Sequence, residues 1–232
     1  GILLTSVELE PDPPFEADRC GSCTACMDAC PTGALLGRDE DGAPVMDARL
    51  CVSYLTIEHK GAIPEELRPL MGNRVFGCDI CQEVCPWNQR FALPSEEAAY
   101  RAGPDTDGPA LLELMTLSQE EFSARFSGSP IKRTKRKGLL RNVAVALGNW
   151  LGSVEEAPEE AVSALVAALS DSEPLVRGHS AWALGRIASP TSISALAERA
   201  EQESDPWVSE EILAALEGPI MLPSAGNRST TH

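Results

Sequence analysis

Apolar residues recur at helical spacing through the second half of the chain. GLLRNVAVALGNW at 138–150, LVRGHSAWALGRI at 175–187 and WVSEEILAALE at 207–217 each carry one apolar face. Within them VALG at 145–148, WALG at 182–185 and LAAL at 213–216 fall into line at a helical-repeat interval. AVSALVAALSD at 161–171 and SISALAERAEQ at 192–202 supply partner helices between them. Asp-Ser-Glu-Pro at 171–174 and Ser-Asp-Pro at 204–206 put a capping side chain and an early proline where a new helix should start. The pattern predicts stacked α-hairpins over residues 138–218. One hairpin cannot bury its apolar face alone, so each must stack on the next. Trp150, Trp182 and Trp207 are expected in that core.

The first half reads differently. ILLTSVELE at 2–10 alternates as a strand does, and with no lead-in it is expected to be the last strand (residues 1–14) of a preceding domain. A cysteine-rich module follows at 15–92, then a connecting segment at 93–137 interrupted by Pro104, Gly108 and Pro109. The polar end, 219–232, is expected to be disordered. The fold class is mainly α with a small α+β part: a ferredoxin-like module followed by hairpins of HEAT-like length. No stretch has the length and apolarity of a membrane helix, and no export signal is visible.

Chemistry enters with the cysteines. All eight lie in the first 85 residues, at 20, 23, 26, 30, 51, 78, 81 and 85. CGSCTACMDACP at 20–31 is C-x2-C-x2-C-x3-C-P, and CDICQEVCP at 78–86 is C-x2-C-x3-C-P. An even count would allow disulfides, but cysteines this close seldom pair. Structural zinc is the stronger rival, yet it calls for pairs of knuckles and not for the C-x3-C-P ending. That ending belongs to 4Fe–4S clusters, in which the Cys-Pro cysteine of one run caps the cluster of the other. Cys20, Cys23, Cys26 and Cys85 are therefore expected to hold one cluster. Cys30 crosses to join Cys78 and Cys81, and Cys51 completes the second set with no cysteine spare.

The charge then adds a partner. The net charge of −16 speaks against nucleic acid or an anionic membrane for the chain as a whole. It is unevenly spread: no acidic residue lies between Glu121 and Glu155, a window holding Arg125, Lys132, Arg133, Lys135, Arg136, Lys137 and Arg141. A solvated helix end is the plain alternative. These cations, however, have no acidic partner one helical turn away, and a phosphate backbone would relieve their repulsion.

CVSYLTIEHKGAIPEELRPLMGNRVFGCDICQEVCPWN at 51–88, with SPIKRTKRKGLLRNVAVALGN at 129–149, resembles the epoxyqueuosine reductase family from about residue 1 to about 218. The resemblance implies a cobalamin-dependent iron–sulfur enzyme that removes the epoxide oxygen of epoxyqueuosine at the tRNA wobble position. Electrons from an external donor, such as a flavodoxin or ferredoxin, would pass through the two clusters to cobalamin. It further implies a cytoplasmic protein, expected here as a monomer, with the basic residues Lys132, Arg133, Lys135, Arg136, Lys137 and Arg141 on tRNA. By position Ser53, Asp79 and Ile80 become cobalamin contacts, and Tyr54, Glu58, His59 and Lys60 substrate-side candidates. The family's cobalamin-binding domain, with its acidic proton donor, has no counterpart in this sequence. No catalytic residue is assigned, and the chain alone is expected to be inactive. A corrinoid reductive dehalogenase shares the two clusters, but a small halogenated substrate needs neither repeats nor a basic stripe. A non-enzymatic electron-transfer or scaffold subunit is the third reading.

Overall fold

The computed structural model describes residues 4–13, 19–101, 108 and 110–218. The iron–sulfur half is built from short pieces. Helix α1 (Ala25–Ala29) leads into a hairpin of β1 (Leu35–Arg38) and β2 (Pro44–Met46). The strands are antiparallel, pairing Leu35 with Met46 and Arg38 with Pro44. Asp39 shapes the turn, accepting from the amides of Asp41 and Ala43 at 3.1 and 2.8 Å. Helix α2 (Val52–Ile57), two 3-10 turns within 65–71, α3 (Ile80–Glu83) and α4 (Pro86–Phe91) complete this half.

The connecting segment holds α5 (Leu111–Met115) and α6 (Gln119–Arg125). Ser118 and Glu121 form a reciprocal capping box at the start of α6. A 3-10 turn over Pro130–Thr134 then enters α7 (Lys135–Leu151).

The repeats follow as α8 (Glu159–Ala168), α9 (Pro174–Ile187), α10 (Pro190–Ala200) and α11 (Pro206–Glu217). Helices α7, α9 and α11 stack as one layer; α8 and α10 cover the other face. The expected mainly helical fold with hairpin repeats is borne out. Pro174, Pro190 and Pro206 open their helices, and Asp205 accepts from the Val208 amide at 3.2 Å. Two glycines set the spacing of the stacked layer. A Cβ at Gly148 would lie 2.7 Å from the Trp182 ring, and one at Gly185 would lie 2.7 Å from the Ala215 Cβ. Only glycine permits backbones this close.

Residues 4–13 pair with no strand among the described residues, and Leu4 is 90% exposed. One expectation needs correction: Trp150 is outside the core, at 42% exposure against 7% for Trp182. It sits on the last turn of α7. The expected disordered tail lies outside the described residues.

Helix α7 is buried nearly all round, because α9 covers one side and the cysteine-bearing half covers the other. That second contact is polar. Asn149 donates to the carbonyls of Arg68 and Gly72 at 2.8 and 2.9 Å. His179 on α9 accepts the Ile63 amide proton at Nε2 (3.1 Å), while its Nδ1 bonds to the Leu175 carbonyl at 2.7 Å. These bonds satisfy loop carbonyls and amides that the repeat helices would otherwise bury unpaired.

Candidate metal centre and nucleic-acid interface

The two cysteine runs share one backbone. Thr24 and Asp79 precede α1 and α3 with φ/ψ of −116/3 and −112/9. Cys26 and Cys81 lie in the helices. Cys30 and Cys85 leave them in extended conformation, at −68/113 and −67/119. Pro31 and Pro86 impose that conformation, since the residue before proline is driven out of the helical region. The first run carries an additional cysteine, Cys20, three places before Cys23. The corresponding place in the second run is Val75. Cys51, at the head of α2 with φ/ψ of −66/124, has the conformation of Cys30 and Cys85 without a proline to cause it.

None of the eight cysteines is in a disulfide, and all are at least partly accessible. Burial pushes the Cys81 thiol up, and the neighbouring Cys78, Cys51 and Cys26 push it further. Helices α1 and α3, which carry Cys26 and Cys81, pack against each other. Burial raises the Cys30 thiol too. The Ala34 amide at 3.3 Å and the Thr32 hydroxyl at 3.8 Å outweigh it, so Cys30 titrates below an ordinary thiol. Donors aimed at a sulfur suit a thiolate that ligates a metal. Among the described residues no three His, Cys, Asp or Glu side chains converge tightly enough for a single ion. A cubane, with one thiolate per corner, spreads its ligands wider than a single tetrahedral ion does. Free thiols, paired helical frames and N–H donors to sulfur therefore fit 4Fe–4S clusters better than zinc knuckles.

Helix α2 is tied to the second run. The Thr56 hydroxyl accepts from the Gly77 amide at 3.0 Å and donates to the Val52 carbonyl at 2.8 Å. The tie sets Ser53, on the first turn of α2, near the segment leading to Asp79 and Ile80. Asp79 is exposed, and its carboxylate accepts from Gln82 at 3.1 Å. Of the substrate-side candidates, Glu58 pairs with Arg133. Lys60 donates to the carbonyls of Ile57 and Arg133 at 3.0 and 3.1 Å. His59 bonds the Ala62 carbonyl at 2.8 Å, and its ring stands 6.1 Å from that of Tyr54.

The basic stripe differs from its sequence reading. Arg136 forms a two-pronged pair with Asp171, the shorter prong 2.6 Å, and also donates to the Leu117 carbonyl. Burial raises the Asp171 carboxyl, but Arg136 and the Glu173 amide outweigh it and hold it below the usual range. Lys137 reaches Glu173 at 3.3 Å. These acids lie on other elements, so a search one helical turn away could not find them.

Arg141 is a correction of kind. It is 1% exposed and cannot meet a phosphate. Its guanidinium donates to the carbonyls of Leu55, His59 and Gly61 and to Asn142, and burial lowers its pKa to about 10. Lys132 and Lys135 remain exposed, with no ion pair among the described residues. Lys135 also has a positive φ of 58°, uncommon for a side-chain-bearing residue. Asn142, Thr56, Arg68 and His179 carried no signal in the sequence, for their partners are backbone groups or side chains far along the chain.

A cysteine frame built twice and docked on helical repeats defines a class. The model of a 4Fe–4S double cluster binding domain matches residues 19–88, and that of HEAT repeats matches 135–217. More particularly, the chain is 47% identical over 186 residues to the epoxyqueuosine reductase of Pseudomonas aeruginosa, covering 80% of this chain and 48% of that protein. Against the Escherichia coli K12 epoxyqueuosine reductase it is 45% identical over 188 residues, with 80% and 46% covered. Among solved structures it is similar to epoxyqueuosine reductase with an epoxyqueuosine-modified tRNA-Tyr stem loop. The TM-score is 0.78 at 35% identity, over 90% of this chain and 52% of that one. The Bacillus subtilis epoxyqueuosine reductase gives 0.76 at 36%, over 90% and 53%. The chain spans about half the length of the curated relatives it matches. Across that shared half, the sequence and fold are similar to those of the epoxyqueuosine reductases.

Proposed function

We infer that this chain is the electron-carrying and tRNA-holding half of an enzyme that reduces epoxyqueuosine to queuosine at the tRNA wobble position. The observation that carries the reading is the docking of a doubled cysteine frame on the same helix, α7, that the basic stripe enters. Cys20, Cys23, Cys26 and Cys85 hold one 4Fe–4S cluster; Cys30, Cys51, Cys78 and Cys81 hold the other. Bound clusters and cobalamin supply electron transfer and the reducing centre, respectively.

The chain's own residues hold and orient. The Ala34 amide and Thr32 hydroxyl stabilise the thiolate of Cys30. Ser53, Asp79 and Ile80 form this chain's side of a cobalamin contact, at the starts of α2 and α3, whose segments the Thr56–Gly77 bond ties together. Lys132 and Lys135 contact tRNA phosphate directly, while Arg133, Arg136 and Lys137 raise the local potential from within ion pairs. We assign no catalytic residue to this chain. A flavodoxin or ferredoxin delivers electrons, and the protein works in the cytoplasm as a monomer.

The test is anaerobic reconstitution followed by titration with an epoxyqueuosine-modified tRNA stem loop. Uptake of two clusters with salt-sensitive binding of the stem loop is expected. Two clusters without affinity for tRNA would favour a plain electron-transfer subunit.

A further inference from the structure

We propose that Asn142, a repeat-domain residue, is a positioning residue for the second cluster, fixing Cys51 against Cys78 and Cys81. The inference rests on the cluster assignment above. The second set is split: Cys51 heads α2, whereas Cys78 and Cys81 follow a long excursion through residues 52–77. In the first set three ligands, Cys20, Cys23 and Cys26, share one short loop, and Cys85 alone crosses from the other run, as Cys30 does to the second set.

Asn142 spans the split. Its single amide nitrogen donates to the Thr56 carbonyl on α2 and to the Val75 carbonyl, both at 2.8 Å. Val75 occupies the place of the cysteine that the second run lacks. Where the first run is closed by a ligand, the second is closed by a hydrogen bond from another domain. The side-chain oxygen accepts from Arg141 at 3.0 and 2.9 Å, which fixes which way the amide faces. Arg141 in turn holds the Leu55 carbonyl at 2.8 Å. Asn142 is fully buried at 0% exposure, so no water can replace its bonds cheaply. A third strut, Thr56 to the Gly77 amide at 3.0 Å, ties the same two segments. Among the described residues, none of the Asn142 bonds reaches the 19–30 run.

Asn142→Asp keeps the acceptor for Arg141 and removes both donors. In the anaerobically reconstituted chain, half of the iron should then pass to a chelator about thirty-fold faster, as expected for two lost hydrogen bonds. The other half should leave at the parental rate, and only one of the two reduced-cluster EPR signals should change. In a Cys51→Ser background the remaining cluster should be indifferent to Asn142→Asp. Thr56→Val cuts the parallel strut but leaves both Asn142 bonds and should show an independent one-sided lability; if Asn142→Asp does not fold, Asn142→Ala, which removes the same donors without adding a charge, decides the matter by the same readout. Both clusters loosening equally, or neither loosening in a variant of parental helicity, would overturn the positioning role. A parent chain that takes up zinc and no iron–sulfur cluster would remove the cluster assignment itself.

Discussion

Arg68 of the cysteine-bearing half and Glu211 of the last repeat helix form a two-pronged ion pair, one prong 2.7 Å, with Arg68 only 2% exposed. The guanidinium also donates to the Ile63 carbonyl at 2.9 Å and lies 5.6 Å from the centre of the Trp182 ring. The pair clamps α11 to a segment 143 positions earlier in the chain. Breaking one partner of a buried pair leaves the other charge uncompensated, at about 3–5 kcal/mol. Glu211 is 13% exposed, so the low end applies. Arg68→Ala should lower unfolding free energy by about 3 kcal/mol in denaturant titration. A loss under about 1 kcal/mol, the range of exposed pairs, would show that the clamp contributes little.

His179 gives the fold a pH dependence. Burial pushes its pKa well below the ordinary value, with Arg68 and Arg141 adding to the shift and the bond to Leu175 opposing it. The ring is neutral: Nε2 must accept from the Ile63 amide, so the proton sits on Nδ1. Below the unfolded-state pKa, about 6.5, the unfolded chain binds a proton that the folded chain refuses. Stability should be level above that pH and fall as pH drops through it. His179→Leu costs stability at every pH but should abolish the slope between about pH 5 and 6.5, above the range of ordinary carboxylates. An unchanged slope in folded His179→Leu would assign the dependence to another group.

Much of this architecture was legible in the chain and some was not, for definable reasons. The cysteine runs and the repeats are local patterns: spacing alone sets the two runs in parallel and puts Cys30 and Cys85 before a proline, whereas the short helices that carry Cys26 and Cys81 show only in the structure. Long-range satisfaction is invisible to spacing. Arg141 reads as one more cation of a stripe, yet it is buried against three backbone carbonyls of the other half. Arg136 and Lys137 read as unpaired because Asp171 and Glu173 lie a helical hairpin away. Asn142 gives no sign at all, since an asparagine inside a helix usually marks nothing.

Cys51 stands alone in sequence and is the sharpest check on the cluster pairing. The anaerobically reconstituted chain should carry about eight irons and as many sulfides, four per cluster. Cys51→Ser should bring this down to about four, with one EPR signal lost and the other kept. Cys20→Ser should remove the complementary signal. Loss of both clusters in either variant would break the assignment of two separate ligand sets, and stoichiometric zinc would replace it with knuckles.

The ion pairs of the stripe change how its contact with nucleic acid must be tested. Reversing every cation would break the Arg136–Asp171 and Lys137–Glu173 links and place like charges together, so lost binding could reflect a disturbed α7. Lys132 and Lys135 are exposed and hold no such link among the described residues. Lys132→Glu with Lys135→Glu should therefore leave helicity and cluster absorption unchanged. Each phosphate contact releases condensed counterions, so losing two should flatten the log affinity against log salt slope by about 1.4–1.8. Affinity for tRNA should fall at low salt and converge on the parental value at high salt. The Lys135 change also alters a residue of positive φ, so Lys135→Gly, which relaxes that backbone while removing the charge, separates strain from electrostatics. Parental affinity and slope in the folded double variant would make the stripe an internal cross-brace between α7, α9 and α2, with tRNA held by other residues.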